Sequence, residues 1–262
     1  MPNKCFLFFC ACLVSGFGLW AEDTPKPNFS PFRVAPLKVG ITPDSAPLVF
    51  KTGDNLEGLE IELAREVGRI LNRPVQFVEL AWEDQIPALL DKRTDVIMSG
   101  MTITQEREEA IAFSDSYLEY GQMALVRSAD KVRFGSLKNI ISTVSPTGVI
   151  ADTTGEQFVE NHFRRSKAVT FENPEKATNG LVSRQVDLFI YDSPVILWIA
   201  SKRAGDEIVA IPQHLTFEYL GWGVRKEDTK LLRDLNQALA EMKADGELED
   251  AIIRWLPQLP GM

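Results

Sequence analysis

The chain has 262 residues, 45% of them hydrophobic and 25% charged, which is ordinary for a globular protein and enough for one large domain or two modest ones. Its formal net charge of -9 sets an acidic surface against phosphate backbones and excludes nucleic acid as a partner class. All three cysteines, Cys5, Cys10 and Cys12, fall near the N-terminus, so the rest of the chain offers no disulfide and no thiolate for catalysis or metal binding.

The chain opens with Lys4, an apolar run from Cys5 to Val14, and Leu19-Trp20-Ala21 before the first acidic residue, Glu22. This pattern predicts a secretory signal peptide over 1–21; the run is short for a membrane span, although an uncleaved anchor would share its features. Pro25, Pro27, Pro31 and Pro36 then predict an extended tether over 22–36. No later stretch is apolar for long enough to cross a membrane.

From Leu37 strands alternate with helices. Leu37–Ile41 and Val75–Val78 read as strands, and Leu59, Leu63, Val67, Ile70 and Leu71 as one face of a helix. Ile86–Leu90 predicts a helix and Asp95–Met98 a strand. A second region repeats the alternation: strands at 148–150, 169–171 and 188–190, with helices at 156–163 and 175–182. Two helices close the chain, one striped by Leu231, Leu232, Leu235, Leu239 and Met242, the other ending at Trp255, with Gly246 between them. The alternation predicts mostly parallel sheets covered on both faces. An internal echo relates Leu89–Met98 to Leu181–Ile190: a helix end, a basic turn, one Asp and an apolar strand. It places Ser99-Gly100 and Tyr191-Asp192 at equivalent carboxyl ends of strands, where ligands of open α/β sheets bind. One such loop from each of two regions predicts a cleft between two lobes.

Three motifs carry chemistry. Ser99 to Arg107 leaves a strand and enters a helix that Thr104 can cap; Gly100 permits close backbone approach and Arg107 offers a planar fork suited to a carboxylate. Read alone, Arg107 equally fits a surface pair with neighbouring glutamates. Asp192 fits an acceptor for an ammonium group or an ordinary cap before Pro194. Thr153 and Glu156 fit a capping box, while Thr153 and Thr154 could present hydroxyls and backbone N–H groups to an anion.

The order and spacing of these pieces resemble the polar amino-acid family of periplasmic solute-binding proteins (bacterial extracellular solute-binding proteins, family 3). The resemblance runs through Leu37-Lys38-Val39-Gly40, Ala46-Pro47, Gly58–Ala64, Ile86–Leu90, Met98–Arg107, Phe113–Tyr117, Asp192 and Gly221–Lys226. It implies a type II periplasmic binding protein fold: two α/β lobes, two crossover hinge strands and a ligand cleft between the lobes. Carried over, the larger lobe is 37–116 plus 221–262, the smaller 122–215, and the hinge 117–121 and 216–220. The resemblance implies that Arg107, helped by Thr102 and Thr154, binds the ligand's α-carboxylate and that Asp192 binds its α-ammonium. Ser99, Gly100, Thr153 and Tyr191 belong to the same expected cleft. Trp82 is expected as an aromatic wall, core packing being the alternative. Where the family often has an Asp and two aromatics, this chain has Thr42, Ser45 and Leu48; those departures predict that neutral or acidic amino acids bind better than arginine, lysine or histidine.

The resemblance further implies an extracytoplasmic, periplasmic monomer that captures an amino acid or related small carboxylate and passes it to an ABC-type transporter permease, with no cofactor and no metal. The competing readings are an enzyme on the same fold, dehydratase-like, and the ligand-sensing partner of a membrane receptor. The enzyme reading is disfavoured because His162 and His214 lie outside every motif and the position after the Asp192 turn is Val195, not a carboxylate. The receptor reading is disfavoured because no membrane helix follows.

Overall fold

The structure, a computed structural model, describes residues 34–203, 205 and 207–257. The predicted signal segment, its cysteines and most of the tether lie outside these residues; residues 34–36 form neither helix nor strand.

The first lobe starts with β1 (Leu37–Ile41), a hairpin of β2 (Phe50–Thr52) and β3 (Asn55–Glu57), helix α1 (Leu59–Ile70) and β4 (Val75–Glu79). It continues through α2 (Gln85–Leu90), β5 (Val96–Ile97), α3 (Gln105–Ala110) and β6 (Ala112–Phe113). Strand β7 (Leu118–Tyr120) crosses to the second lobe, made of β8 (Gln122–Arg127), α4 (Leu137–Ile141), β9 (Thr147–Ile150), α5 (Thr154–His162), β10 (Ala168–Phe171), α6 (Pro174–Val182), β11 (Leu188–Asp192), α7 (Ser193–Lys202) and β12 (Ile208–Ala210). Strand β13 (Glu218–Leu220) returns antiparallel to β7, and β14 (Gly223–Val224), α8 (Thr229–Asp245) and α9 (Glu247–Trp255) complete the first lobe.

Each lobe holds a five-stranded sheet, in the orders β4-β1-β5-β14-β6 and β10-β9-β11-β8-β12. Both are mostly parallel, as expected, with four of the five strands running one way and a single strand running against them. The three strands joined by helices are parallel, whereas β14 and β8 enter their sheets from the crossovers and run antiparallel to β5 and β11. Periodicity reports burial and carries no information on strand direction, so only the helix-linked strands were readable as parallel.

The expected apolar stripes form the core. Leu37, Val39 and Ile41 of β1 are fully buried, and α1 sets Leu59, Leu63 and Val67 against the sheet. Each such side chain contributes roughly 1.5–3 kcal/mol of burial. The internal echo has a matching structural cause. In the first lobe Arg225 donates from Nη1 to the carbonyls of Leu89 (2.9 Å) and Thr94 (2.6 Å) and pairs with Asp95 at 3.5 Å. In the second, Arg127 donates from Nη1 to Leu181 and Val186 (both 2.8 Å) and pairs with Asp187 at 2.5 Å. These carbonyls and carboxylates occupy equivalent places in the repeated segment, and the basic turn residues Lys92 and Arg184 share a positive φ (62° and 65°). Each buried arginine therefore fastens a helix end to the start of the strand that leads to the cleft.

Candidate functional site

Between the lobes lies a narrow, mostly enclosed cavity, and such clefts between lobes are common places for small-molecule sites. Thr42, Ser45, Trp82, Ser99, Gly100, Thr102 and Arg107 line it from the first lobe, and Thr153, Thr154, Tyr191 and Asp192 from the second. The structure thus brings every residue expected from the sequence to one space. Leu48, Ile150 and Pro174 add apolar walls, and Asp44 and Glu172 add two carboxylates that the sequence reading did not include.

Arg107 sits on α3, whose first turn is capped by Thr104 Oγ1 accepting from the Arg107 N–H (3.2 Å). Its guanidinium donates to the carbonyl of Thr102 (2.9 Å) in its own lobe and to that of Asp152 (3.1 Å) in the other. It also stacks 5.2 Å from the Trp82 ring. Among the described residues it makes no ion pair with Glu106, Glu108 or Glu109; Glu106 instead accepts from Gln157 Nε2 of the second lobe (3.1 Å). Desolvation in the cleft lowers its pKa from the ordinary guanidinium value, yet a guanidinium stays charged at any physiological pH. Trp82 spans the lobes too, donating from Nε1 to the Asp152 carbonyl at 3.0 Å. It is thus a cleft wall and lobe contact.

Asp192 ends β11 and precedes α7 without capping it: no side-chain cap bond joins it to the helix. Its Oδ1 instead accepts from Gln122 Nε2 at 2.6 Å. Burial first, then the nearby Glu218 carboxylate, push its pKa up to about 7. The capping alternative for Asp192 is therefore replaced by a carboxylate held in the cleft by a neutral amide.

The threonines differ from expectation in what they offer. Thr153 Oγ1 accepts from the Glu156 N–H (3.3 Å) and donates to the Ile150 carbonyl (2.7 Å). Thr154 Oγ1 donates to Glu218 Oε2 at 2.7 Å. Both hydroxyl protons point into the protein, so an anion at this helix start meets backbone N–H groups, not hydroxyl donors. The capping box is also offset by one residue: Glu156 Oε2 accepts from the Asp152 N–H (2.9 Å), not from Thr153.

The remaining cleft residues are held by a buried frame. Ser99 Oγ accepts from the Thr42 N–H (2.8 Å), and Thr42 Oγ1 accepts from Gln85 Nε2 (2.9 Å). Gly100 has φ 68° and directs its N–H inward to Glu60 Oε1 (2.8 Å), so its freedom serves the loop's shape; a Cβ there would fall 3.0 Å from Leu48 Cδ1. Glu60 is fully buried and also accepts from Tyr117 OH (2.5 Å) and Trp222 Nε1 (3.1 Å); burial raises its pKa while these donors oppose the rise. Ser45 Oγ and Tyr191 OH lie 3.3 Å apart across the cleft, and burial pushes the Tyr191 phenol well above its ordinary range. Glu60, Gln122 and Glu218 were missed because an isolated polar residue in a strand or helix pattern carries no signal of the partner it will meet.

The family model for bacterial extracellular solute-binding proteins, family 3, matches residues 37–258. The ABC transporter glutamine-binding protein GlnH of Bacillus subtilis is 28% identical, over 78% of this chain and 74% of its own length. The histidine-binding periplasmic protein of Salmonella typhimurium is 30% identical, over 81% of this chain and 84% of its own. Among solved structures, the ancestral amino acid-binding protein AncCDT-1, a precursor of cyclohexadienyl dehydratase, superposes with a TM-score of 0.79 at 34% identity, covering 84% of this chain and 95% of that one.

Proposed function

The chain belongs to family 3 of the bacterial extracellular solute-binding proteins, and on that premise we propose that its cleft binds a free α-amino acid and presents it to an ABC transporter permease. The observation that carries this reading is the opposition of Arg107 and Asp192 across one small cavity, a cationic fork on one lobe and a carboxylate on the other. An α-amino acid carries the complementary pair, a carboxylate and an ammonium on one carbon, and burying either charge alone would be costly. The glutamine- and histidine-binding relatives support the class of ligand.

In this reading the lobes are 37–116 with 221–262 and 122–215, closing about 117–121 and 216–220, and Thr102, Thr154, Ser99, Gly100, Thr153, Tyr191, Trp82, Thr42 and Ser45 surround the ligand. The protein is exported through residues 1–21 and acts as a monomer in the periplasm. Among the described residues no helix is long and apolar enough to cross a membrane. In this reading the ligand is bound and released unchanged.

A thermal-shift panel of the common amino acids tests the reading. A ligand at about 100 times its Kd adds roughly 2.7 kcal/mol, which for a chain of this size raises the melting temperature by roughly 5–11 °C. At least one α-amino acid should reach this shift, and mass spectrometry should recover it unchanged. A panel with no stabilising amino acid, or recovery of a converted product, would overturn it.

A further inference from the structure

Behind the cleft, on the crossover strand β13, Glu218 accepts hydrogen bonds from three hydroxyls: Thr154 (2.7 Å) and Tyr120 (3.1 Å) at Oε2, and Thr216 (2.6 Å) at Oε1. Three of the cleft's polar residues connect to it, Thr154 directly and Thr102 and Asp192 through one intermediary. Thr102 of the first lobe meets Tyr120 OH at 2.5 Å. Gln122 Nε2 donates to Asp192 Oδ1 (2.6 Å) and Thr154 Oγ1 (3.1 Å), and lies 3.5 Å from Glu218 Oε2. The arrangement is tightly built: a Cβ on Gly155 would fall 2.7 Å from Gln122 Oε1 and push the amide aside.

Two carboxylates, Asp192 and Glu218, therefore share one amide, and one of them never touches the cavity surface. Like charges held this close attract a cation more strongly than either does alone. We propose that Glu218 is a positioning residue for the ammonium end of the cleft, acting through Gln122 and Thr154 to fix Asp192 and to double the negative charge that a ligand ammonium meets. This inference rests on the amino-acid reading above. The cluster of Asp192, Gln122, Thr154 and Glu218 comes from the second lobe and its crossover, so it persists when the first lobe swings away.

The charged and titratable groups around Asp192 are Glu218 from β13, Arg107 from α3, Tyr120 and Tyr117 from the other crossover, and Tyr191 beside it on β11. Glu218 is the anionic group among them with the largest effect, and it acts to keep a proton on Asp192. An ammonium takes that proton's place. The attraction that raises the midpoint of Asp192 is lent equally to the ligand, so each unit of midpoint corresponds to about tenfold in affinity.

The test has two arms. In the unliganded protein, the carboxyl-carbon NMR shift of Asp192 is followed with pH in wild type, Glu218→Gln and Glu218→Asp. Wild type should titrate near 7, Glu218→Gln at least about one unit lower, and Glu218→Asp, which keeps the charge, close to wild type. Equal midpoints in wild type and Glu218→Gln, or an equal drop in both variants, would overturn the proposal. The second arm measures L-glutamine and L-histidine by calorimetry from pH 5 to 9. Affinity should fall as pH drops through 7 in wild type, and Glu218→Gln should bind about tenfold more weakly at pH 8, with its fall displaced to lower pH. An unmoved profile in Glu218→Gln would count against the proposal. Failure of every amino acid to bind wild type would instead sink the functional reading, while the first arm still decides the role of Glu218.

Discussion

Replacing Arg107 by Met keeps an unbranched stem of similar length and deletes the guanidinium. In the structure that group donates to the Thr102 and Asp152 carbonyls and stacks on Trp82; its remaining N–H groups are what the cavity can offer a ligand carboxylate. A bidentate charge-assisted pair is worth about 3–6 kcal/mol, taking about 1.5–3 for each bond. Its loss predicts weaker binding by on the order of 100- to 10,000-fold. The Trp82 stack, about 0.5–1 kcal/mol, exists without ligand too and so largely cancels from the affinity, appearing as a small loss of stability. Arg107→Lys keeps the charge without the fork and should fall between. The assay is calorimetry with the amino acid that best stabilises wild type, alongside its amide, which lacks the carboxylate charge. The two losses share one interaction, so the amide should lose little further when Arg107 is changed. Binding of the acid by Arg107→Met within about threefold of wild type, with the melting curve intact, would refute the assignment.

Asp192→Asn should make the unliganded protein's stability less dependent on pH. The folded-state pKa of Asp192, about 7, lies above its ordinary value of 3.8, so the unfolded chain loses this proton first and wild type loses stability as pH rises from about 4 to 7. Relative to wild type the variant should therefore gain melting temperature across that interval, and an unchanged difference between pH 4 and 8 would contradict the buried placement. Trp198→Ala removes the α7 ring that meets Phe50 at 5.9 Å, while Phe50 also meets Trp255 at 5.9 Å. The Phe50–Trp198 contact joins the lobes away from the ligand, so affinity should drop up to about tenfold through a less favoured closed state, with a larger radius of gyration by X-ray scattering. Tyr117→Phe takes one donor from the buried Glu60 carboxylate and should lower stability by about 1–3 kcal/mol in urea unfolding. Asp44→Asn, which neutralises a carboxylate lining the cavity, should weaken L-arginine more than L-glutamine in competitive titration.

The fold's helix-linked strands were legible because burial leaves a period in the sequence, and the cleft-facing loops because two copies of one segment point to equivalent strand ends. The repeated Asp of that echo proved to be a clamp for Arg225 and Arg127, not part of the cleft. The echo marked where the site would be while its most obvious polar residue does structural work. Arg107 and Asp192 were each ambiguous alone, since a surface pair and a helix cap use the same residue types. What separates the readings is tertiary: Glu106 is drawn to Gln157 on the other lobe, and Gln122 reaches Asp192 from 70 residues away.

The same limit governs the ligand's side chain. Thr42 and Ser45 correctly indicate that two familiar positions carry neither an acid nor a ring, and from them the sequence predicts a pocket unsuited to cations. That conclusion needs every residue facing the space to be known. Asp44 lies one position from Ser45, which donates to its Oδ1 at 2.9 Å, and Glu172 comes from the opposite lobe. Two carboxylates thus line the cavity from positions other than Thr42 and Ser45. The two acids do not count equally. Glu172 is drawn aside by Lys176 and its side chain is 77% exposed, so water and an existing partner already screen it. Asp44 is exposed too, but its described side-chain partner is a neutral hydroxyl, which leaves it acceptor capacity for a ligand cation. Discrimination between arginine and glutamine is therefore expected to depend on Asp44, a residue no alternation or spacing singles out, placed by a turn whose path only the folded chain defines.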